Sequence, residues 1–188
     1  SLPSASTGLI MATTPGASGF VVEDVTLVPS NPHPNYDGVK VNQAGTFRRM
    51  NISGTVDGIV VYGDDVRIED SYLHDFTRFD SDPQQDGGPS HDDGIQVQAG
   101  QGVQIVNNTI GGASNAAVMV TQDAGMTKDL TIANSWLDGG GCAVNFGPDG
   151  DYTTGILVND NVFGRNQRVA GCAMIHNAAK SDLNPTGN

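Results

Sequence analysis

Apolar positions along this chain fall in two interleaved patterns that recur from one end to the other. The longer pattern is a strand, a polar step and a further apolar position. It appears as FVVEDVTL (20–27), FRRMNI (47–52), VRIEDSYL (66–73), VQIVNNTI (103–110), LTIANSWL (130–137) and ILVNDNVF (156–163). The closing apolar residues Leu27, Ile52, Leu73, Ile110, Leu137 and Phe163 are separated by 25, 21, 37, 27 and 26 residues. The shorter pattern is an alternating strand: DGVKV (37–41), DGIVV (57–61), DGIQV (93–97), AAVMV (116–120), CAVNF (142–146) and CAMIH (172–176). A unit this small cannot bury its own apolar face, so it must stack on copies of itself.

One strand of each kind per repeat, with turns between, predicts an all-β chain. It would be a single-stranded right-handed parallel β-helix of about six to seven coils. Residues 1–188 form one domain, with a long loop insertion over 74–92 and a polar C-terminal tail over 178–188. Period-two alternation points Val39, Val41, Ile59, Val61, Ile95, Val97, Val118, Val120, Val144 and Phe146 inward. It points Lys40, Asn42, Val60, Tyr62, Gln96, Gln98, Met119, Asn145 and Ile175 outward. At the bend of the longer pattern, Asp24, Asp70, Asn107, Asn134 and Asp160 fall in register and are expected to form a hydrogen-bonded ladder, with Asn107 facing inward. Arg49 interrupts that row and is expected to point out or to pair with Asp24 or Asp70. A doubly wound α/β fold would need helices between the strands, and no stretch has helical periodicity. The segment GLIMAT reads as a partial first coil without a capping helix, which leaves an end where other coils or chains could stack.

Charge narrows the partners. With 9 Lys and Arg against 21 Asp and Glu, the net charge of −12 argues against nucleic acid and against an anionic membrane surface. An acidic polymer would need local Lys or Arg, or a bridging cation. No apolar run reaches a membrane span, and SLPSAST does not read as a leader peptide. Low lysine with abundant Asn, Asp, Gly and Thr suits a secreted or cell-surface bacterial protein. The two cysteines, Cys142 and Cys172, share one phase in adjacent coils, where a disulfide and a pair of buried thiols are both open.

The repeat and the segment SHDDGIQVQAGQGVQIVNNTI resemble the right-handed β-helix (pectin-lyase-like) superfamily of carbohydrate-active proteins. That superfamily includes polysaccharide lyases, alginate epimerases, polygalacturonases and phage tailspikes. The resemblance implies the fold and a polysaccharide partner; it does not select an activity. Polygalacturonases carry an acidic pair in the coil after their Asp-Gly segment, whereas Asp92-Asp93-Gly94 is followed by Ser114-Asn115-Ala116. Their Gly-His-Gly and Arg-Ile-Lys elements are absent here. An epimerase-like Asp-Pro-His is broken by Gln84 after Asp82-Pro83.

Most chemistry-bearing residues lie in the long loop: His74, Asp75, Arg78, Asp80, Asp82, Asp86, His91, Asp92 and Asp93. His33, Tyr36 and Asp37 occupy an equivalent earlier turn. Elimination from a uronate needs a cation for the carboxylate, a base for the adjacent C–H and an acid for the leaving oxygen. His91, His74, Lys40, Tyr62 and Arg78 are the candidate catalytic set. Tyr36, His33, Gln96, Gln98 and Asn42 are the candidate substrate-binding set. Asp80, Asp82 and Asp92 are candidate ligands for Ca²⁺. Asp37, Asp57 and Asp93, each before Gly, share one phase; turn chemistry is the preferred reading over a carboxylate stack. Trp136, with Asp138, falls outward, where a lone Trp can stack on a sugar. Asn51-Ile52-Ser53 and Asn107-Asn108-Thr109 match glycosylation sequons. The leading functional expectation is a polysaccharide lyase acting on uronate-containing glycan. The alternatives are a non-catalytic glycan-binding, adhesin or tailspike-like rod, and a glycoside hydrolase using Asp80, Asp82, Asp92 and Asp93.

Overall fold

A computed structural model describes residues 6–147, 152–183 and 185–188 and shows parallel strands stacked into three long sheets. The front sheet has seven strands: Thr7–Ala12, Tyr36–Val41, Ile59–Val61, Asp93–Val97, Ala116–Val120, Val144–Phe146 and Met174–His176. Two six-stranded sheets complete each coil. One runs from Phe20–Glu23 to Leu157–Asn159 and the other from Thr26–Leu27 to Val162–Phe163. A two-strand corner, Gly100–Gln101 with Thr127–Lys128, links two coils between them.

Each copy of the longer pattern is therefore two short strands rather than one. The break falls at Asp24, Arg49, Asp70, Asn107, Asn134 and Asp160, all left-handed with φ of 51 to 57°. Asn and Asp tolerate that conformation best among non-glycine residues, which accounts for the recurring polar step. Arg49 is the exception, and its guanidinium is bound to Asp24 at 2.7 and 2.8 Å and to Glu23 at 2.5 Å.

The expected ladder exists, displaced by one residue. Asn107 and its counterparts are exposed, and the residues after them point inward. Ser71, Asn108, Ser135 and Asn161 form a continuous buried chain, which the exposed Asn188 extends at the end of the rod. Asn108 Oδ1 accepts from the Ser71 amide at 3.0 Å, and its Nδ2 donates to the Ile68 carbonyl at 2.9 Å. Asn161 repeats this with Ser135 and Ile132, and Asn188, from the polar tail, repeats it with Asn161 and Val158. A left-handed bend turns its own side chain outward and swings the next one in, which the strand-only alternation did not anticipate. Asp138, expected outward, is likewise buried, 2 % exposed.

Inside the coils the core is a column of Val, Ile, Leu and Phe, with Ile59, Ile68, Leu73, Ile95, Ile105, Ile110 and Ile132 fully buried. The first coil differs: Ile10, Ala12, Phe20, Val22, Val25 and Leu27 face the core but are only partly buried. Cys142 and Cys172 form a disulfide with 4.7 Å between Cα atoms. Each Asp-Gly of the front sheet packs against the next coil. A Cβ at Gly38 would collide with the Gly58 carbonyl, and one at Gly58 with the Gly94 carbonyl. Glycine is required there by close backbone approach.

Candidate functional site

Register on the front sheet aligns its outward residues in two rows. Lys40, Val60, Gln96 and Met119 are partners across successive strands. Tyr62, Gln98 and Thr121 form the second row, each amide donating to the carbonyl of the preceding coil. Together they floor a groove of about 450 Å³ along the rod. Pro34, Asp82, Gln84, Gln85 and His91 wall the side where the strands begin, and Asp123 stands where they end.

The long loop that forms this wall is built, not frayed. Asp82 Oδ1 caps the turn Pro83–Gln85 by accepting from the Gln84 amide at 2.8 Å. The Asp82 amide donates to the Gly88 carbonyl at 2.7 Å, closing the tip. Ser90 and Phe79 exchange two bonds that clamp its base, Phe79 N to Ser90 Oγ at 2.8 Å and Ser90 N to Phe79 O at 2.9 Å. Phe76 packs on the core beneath it.

At one end of the floor Lys40 is held between Asp37, 3.2 Å from Nζ, and the Tyr62 hydroxyl, 3.5 Å away. Asp37 also accepts from Ser6 Oγ at 2.5 Å. Behind it runs a stack of buried carboxyls. Asp37 accepts from the Asp57 amide at 3.3 Å, Asp57 from the Asp93 amide at 2.8 Å, and Asp93 from Asn115 Nδ2 at 3.0 and 3.2 Å. The carboxylate-stack reading is thus met and the local-turn reading is corrected: Asp37 and Asp93 lie in strands, and Asp37 and Asp57 cap amides of the next coil because stacking brings those closer than any amide of their own turn. Burial raises all three above the ordinary Asp range. For Asp57 the neighbouring Asp37 and Asp93 charges add to that rise. For Asp93 the Asn115 bond opposes it and the Asp92 charge adds to it.

Of the residues singled out in the sequence, Lys40, Tyr62, His91, Gln96, Gln98 and Asp82 meet in the groove, together with Asp37 and Asp57. His74, His33, Tyr36, Asn42, Asp80, Asp92 and Arg78 do not line it. His74 lies beyond it, its ring stacked on Tyr72 at 3.9 Å, with Asp75 and Asn51 within 2.7 and 2.9 Å of its nitrogens. His33 accepts from the Asn35 amide at 3.1 Å and contacts the Tyr36 ring, and neither ring lines the groove. Asn42 is engaged by Gln43 Nε2. The metal set Asp80, Asp82 and Asp92 does not fit Ca²⁺. Asp82 is spent on its turn, Asp92 is buried against the Ser114 amide and hydroxyl, and Asp80 is exposed. Among the described residues no three His, Cys, Asp or Glu side chains are grouped to hold a metal ion.

A second, smaller cavity of about 170 Å³ adjoins the first and shares His91 and Asn115 with it. Arg78, Pro89, Ser90, Ser114 and Arg168 complete its lining. Arg78 was legible as a loop cation. Arg168 was not, because it comes from a turn more than seventy residues downstream and carries no motif. That turn is pinned by Asp138, which accepts from the Asn166 amide at 2.8 Å and from Gln167 Nε2 at 3.2 Å. Trp136, 39 % exposed, lies on another sheet.

A parallel coil with a polar groove on one face defines a β-helix solenoid with one grooved face. The family model for the right-handed β-helix region matches residues 13–188, and the chain belongs to that family. No curated protein matches, and no solved structure does. Among the described residues no helix is long and apolar enough to cross a membrane.

Proposed function

We propose that the front-sheet groove binds an extended uronate-containing glycan and cleaves it by β-elimination. The observation that carries this is Lys40 fixed between Asp37 and Tyr62 on the floor, with His91 on the facing wall. Lys40, held 3.2 Å from Asp37, serves as the cation against which the substrate carboxylate rests. His91 then takes the C5 proton, electrons shift to form the C4–C5 double bond, and Tyr62 delivers a proton to the departing O4. Gln96 and Gln98, bonded to each other at 2.8 Å, offer their remaining amide groups to sugar hydroxyls. Loops on a rigid scaffold are where such chemistry commonly sits. The disulfide is consistent with an oxidising, extracellular setting.

A panel of acidic polysaccharides, followed by the ultraviolet absorbance of the unsaturated product, tests the reading. Absorbance should grow with the wild-type protein and fall at least about a hundredfold in Lys40→Met, the scale of one lost charge-stabilising group. New reducing ends without that absorbance would replace elimination by hydrolysis. Retained binding with neither product would leave a non-catalytic glycan-binding rod.

A further inference from the structure

The smaller cavity beside His91 is a site in its own right. Of nine Lys and Arg in the chain, Arg48, Arg49 and Arg67 are bound to Glu or Asp neighbours, and Lys40 to Asp37. Arg78 and Arg168 form no salt bridge among the described residues, yet both line one cavity of about 170 Å³. In a chain of net charge −12, two unpaired guanidiniums facing one small space form a local inversion of sign. Both side chains are exposed, so water screens their mutual repulsion, and both guanidiniums are left free to contact an anion.

The backbone that carries each arginine is tied down. The Arg168 amide donates to the Gly140 carbonyl at 2.8 Å and the Val169 amide to Gly141 at 3.1 Å. The same turn is tied by Asp138 on one side and runs into the Cys142–Cys172 disulfide on the other. Arg78 precedes the clamped base of the long loop at Phe79 and Ser90. Ser114 and Asn115 form the floor, and their own polar groups are turned back on Asp92 and Asp93. The acids behind Ser114 and Asn115 are therefore bonded to the protein, and Arg78 and Arg168 remain in the lining without an acidic partner among the described residues.

We propose that Arg78 and Arg168 form an anion subsite for the carboxylate of a uronate residue, one sugar away from the Lys40 centre. This rests on the reading of the groove as a glycan site. Planar guanidinium forks match carboxylates in two-point contact, and the shared His91 and Asn115 make the cavity continuous with the groove. The subsite selects chains in which uronates neighbour one another over chains with a neutral sugar at that position.

The test uses the isotopically labelled protein and two monosaccharides, sodium D-glucuronate and D-glucose, with amide shifts of His91, Ser114 and Asn115 as the readout. Glucuronate should shift these amides saturably and glucose should not. Arg168→Gln and Arg78→Gln, both exposed and outside the core, should each weaken glucuronate about tenfold, in line with loss of one charge-assisted contact. No saturable shift, an equal response to glucose, or unchanged affinity in both variants would overturn the subsite. The elimination assay is read separately. Glucuronate binding here without any unsaturated product would remove the lyase and leave the subsite standing.

Discussion

Asp57 shows how a single side chain can serve the scaffold at a cost that depends on pH. It caps the Asp93 amide at 2.8 Å while sitting 8 % exposed between two other carboxyls. Its folded pKa lies well above the unfolded value, as does that of Asp93, so the native state holds more protons than the unfolded chain between those values. Stability is therefore greatest below the ordinary Asp range. It falls as pH rises through the window up to the folded pKa, by at most about 1.4 kcal/mol per pH unit for each such group. Asp57→Asn keeps an acceptor for the Asp93 amide and removes the ionisation. Thermal melts from pH 4 to 8 should lose part of their decline in this variant, with the largest gain at the alkaline end. An unchanged slope would mean that Asp57 is not the group responsible.

At the scale of the coil element, the bend decides more than the strands do. The left-handed residue is exposed and replaceable by any residue that tolerates positive φ, while the one after it is locked in the buried ladder. Asn108→Ala would leave the buried Ser71 amide without its partner and remove the side-chain bond to the Ile68 carbonyl, at a cost of about 3 kcal/mol. Asn107→Gly should be nearly neutral, because glycine accepts φ of 57° without strain. Urea unfolding of the two variants checks the contrast, and equal destabilisation would contradict it. The long loop obeys the same logic: Asp82 is bound into its turn, which is why it serves as wall and not as metal ligand.

Over the whole molecule, a solenoid distributes stability as a sum of coil and interface contributions. Ile105 lies mid-rod and is fully buried, with coils on both sides. Ile10 faces the core from the first coil, with a neighbour on one side only. Ile105→Ala should cost about 4 kcal/mol and Ile10→Ala about 1 kcal/mol, since a half-covered site loses less transfer and cavity energy. Differential scanning calorimetry of both variants reads the difference directly.

The β-helix, the inward strand residues and the outward Lys40, Tyr62, Gln96 and Gln98 were legible in the sequence because period-two alternation and a repeat of 20-odd residues leave few ways to bury apolar surface. The Asp-Gly phase was legible too, as repetition of Asp37, Asp57 and Asp93. Tertiary structure alone decided the rest. It moved the ladder from Asn107 to Asn108, because a left-handed bend reverses which side chain faces in. It separated His74, His33, Tyr36 and Asn42 from the groove, since loops leaving one corner of a coil diverge according to their own hydrogen bonds. It brought Arg168 to Arg78, a meeting set by how coils stack and by the Asp138 tether, for which linear spacing carries no signal.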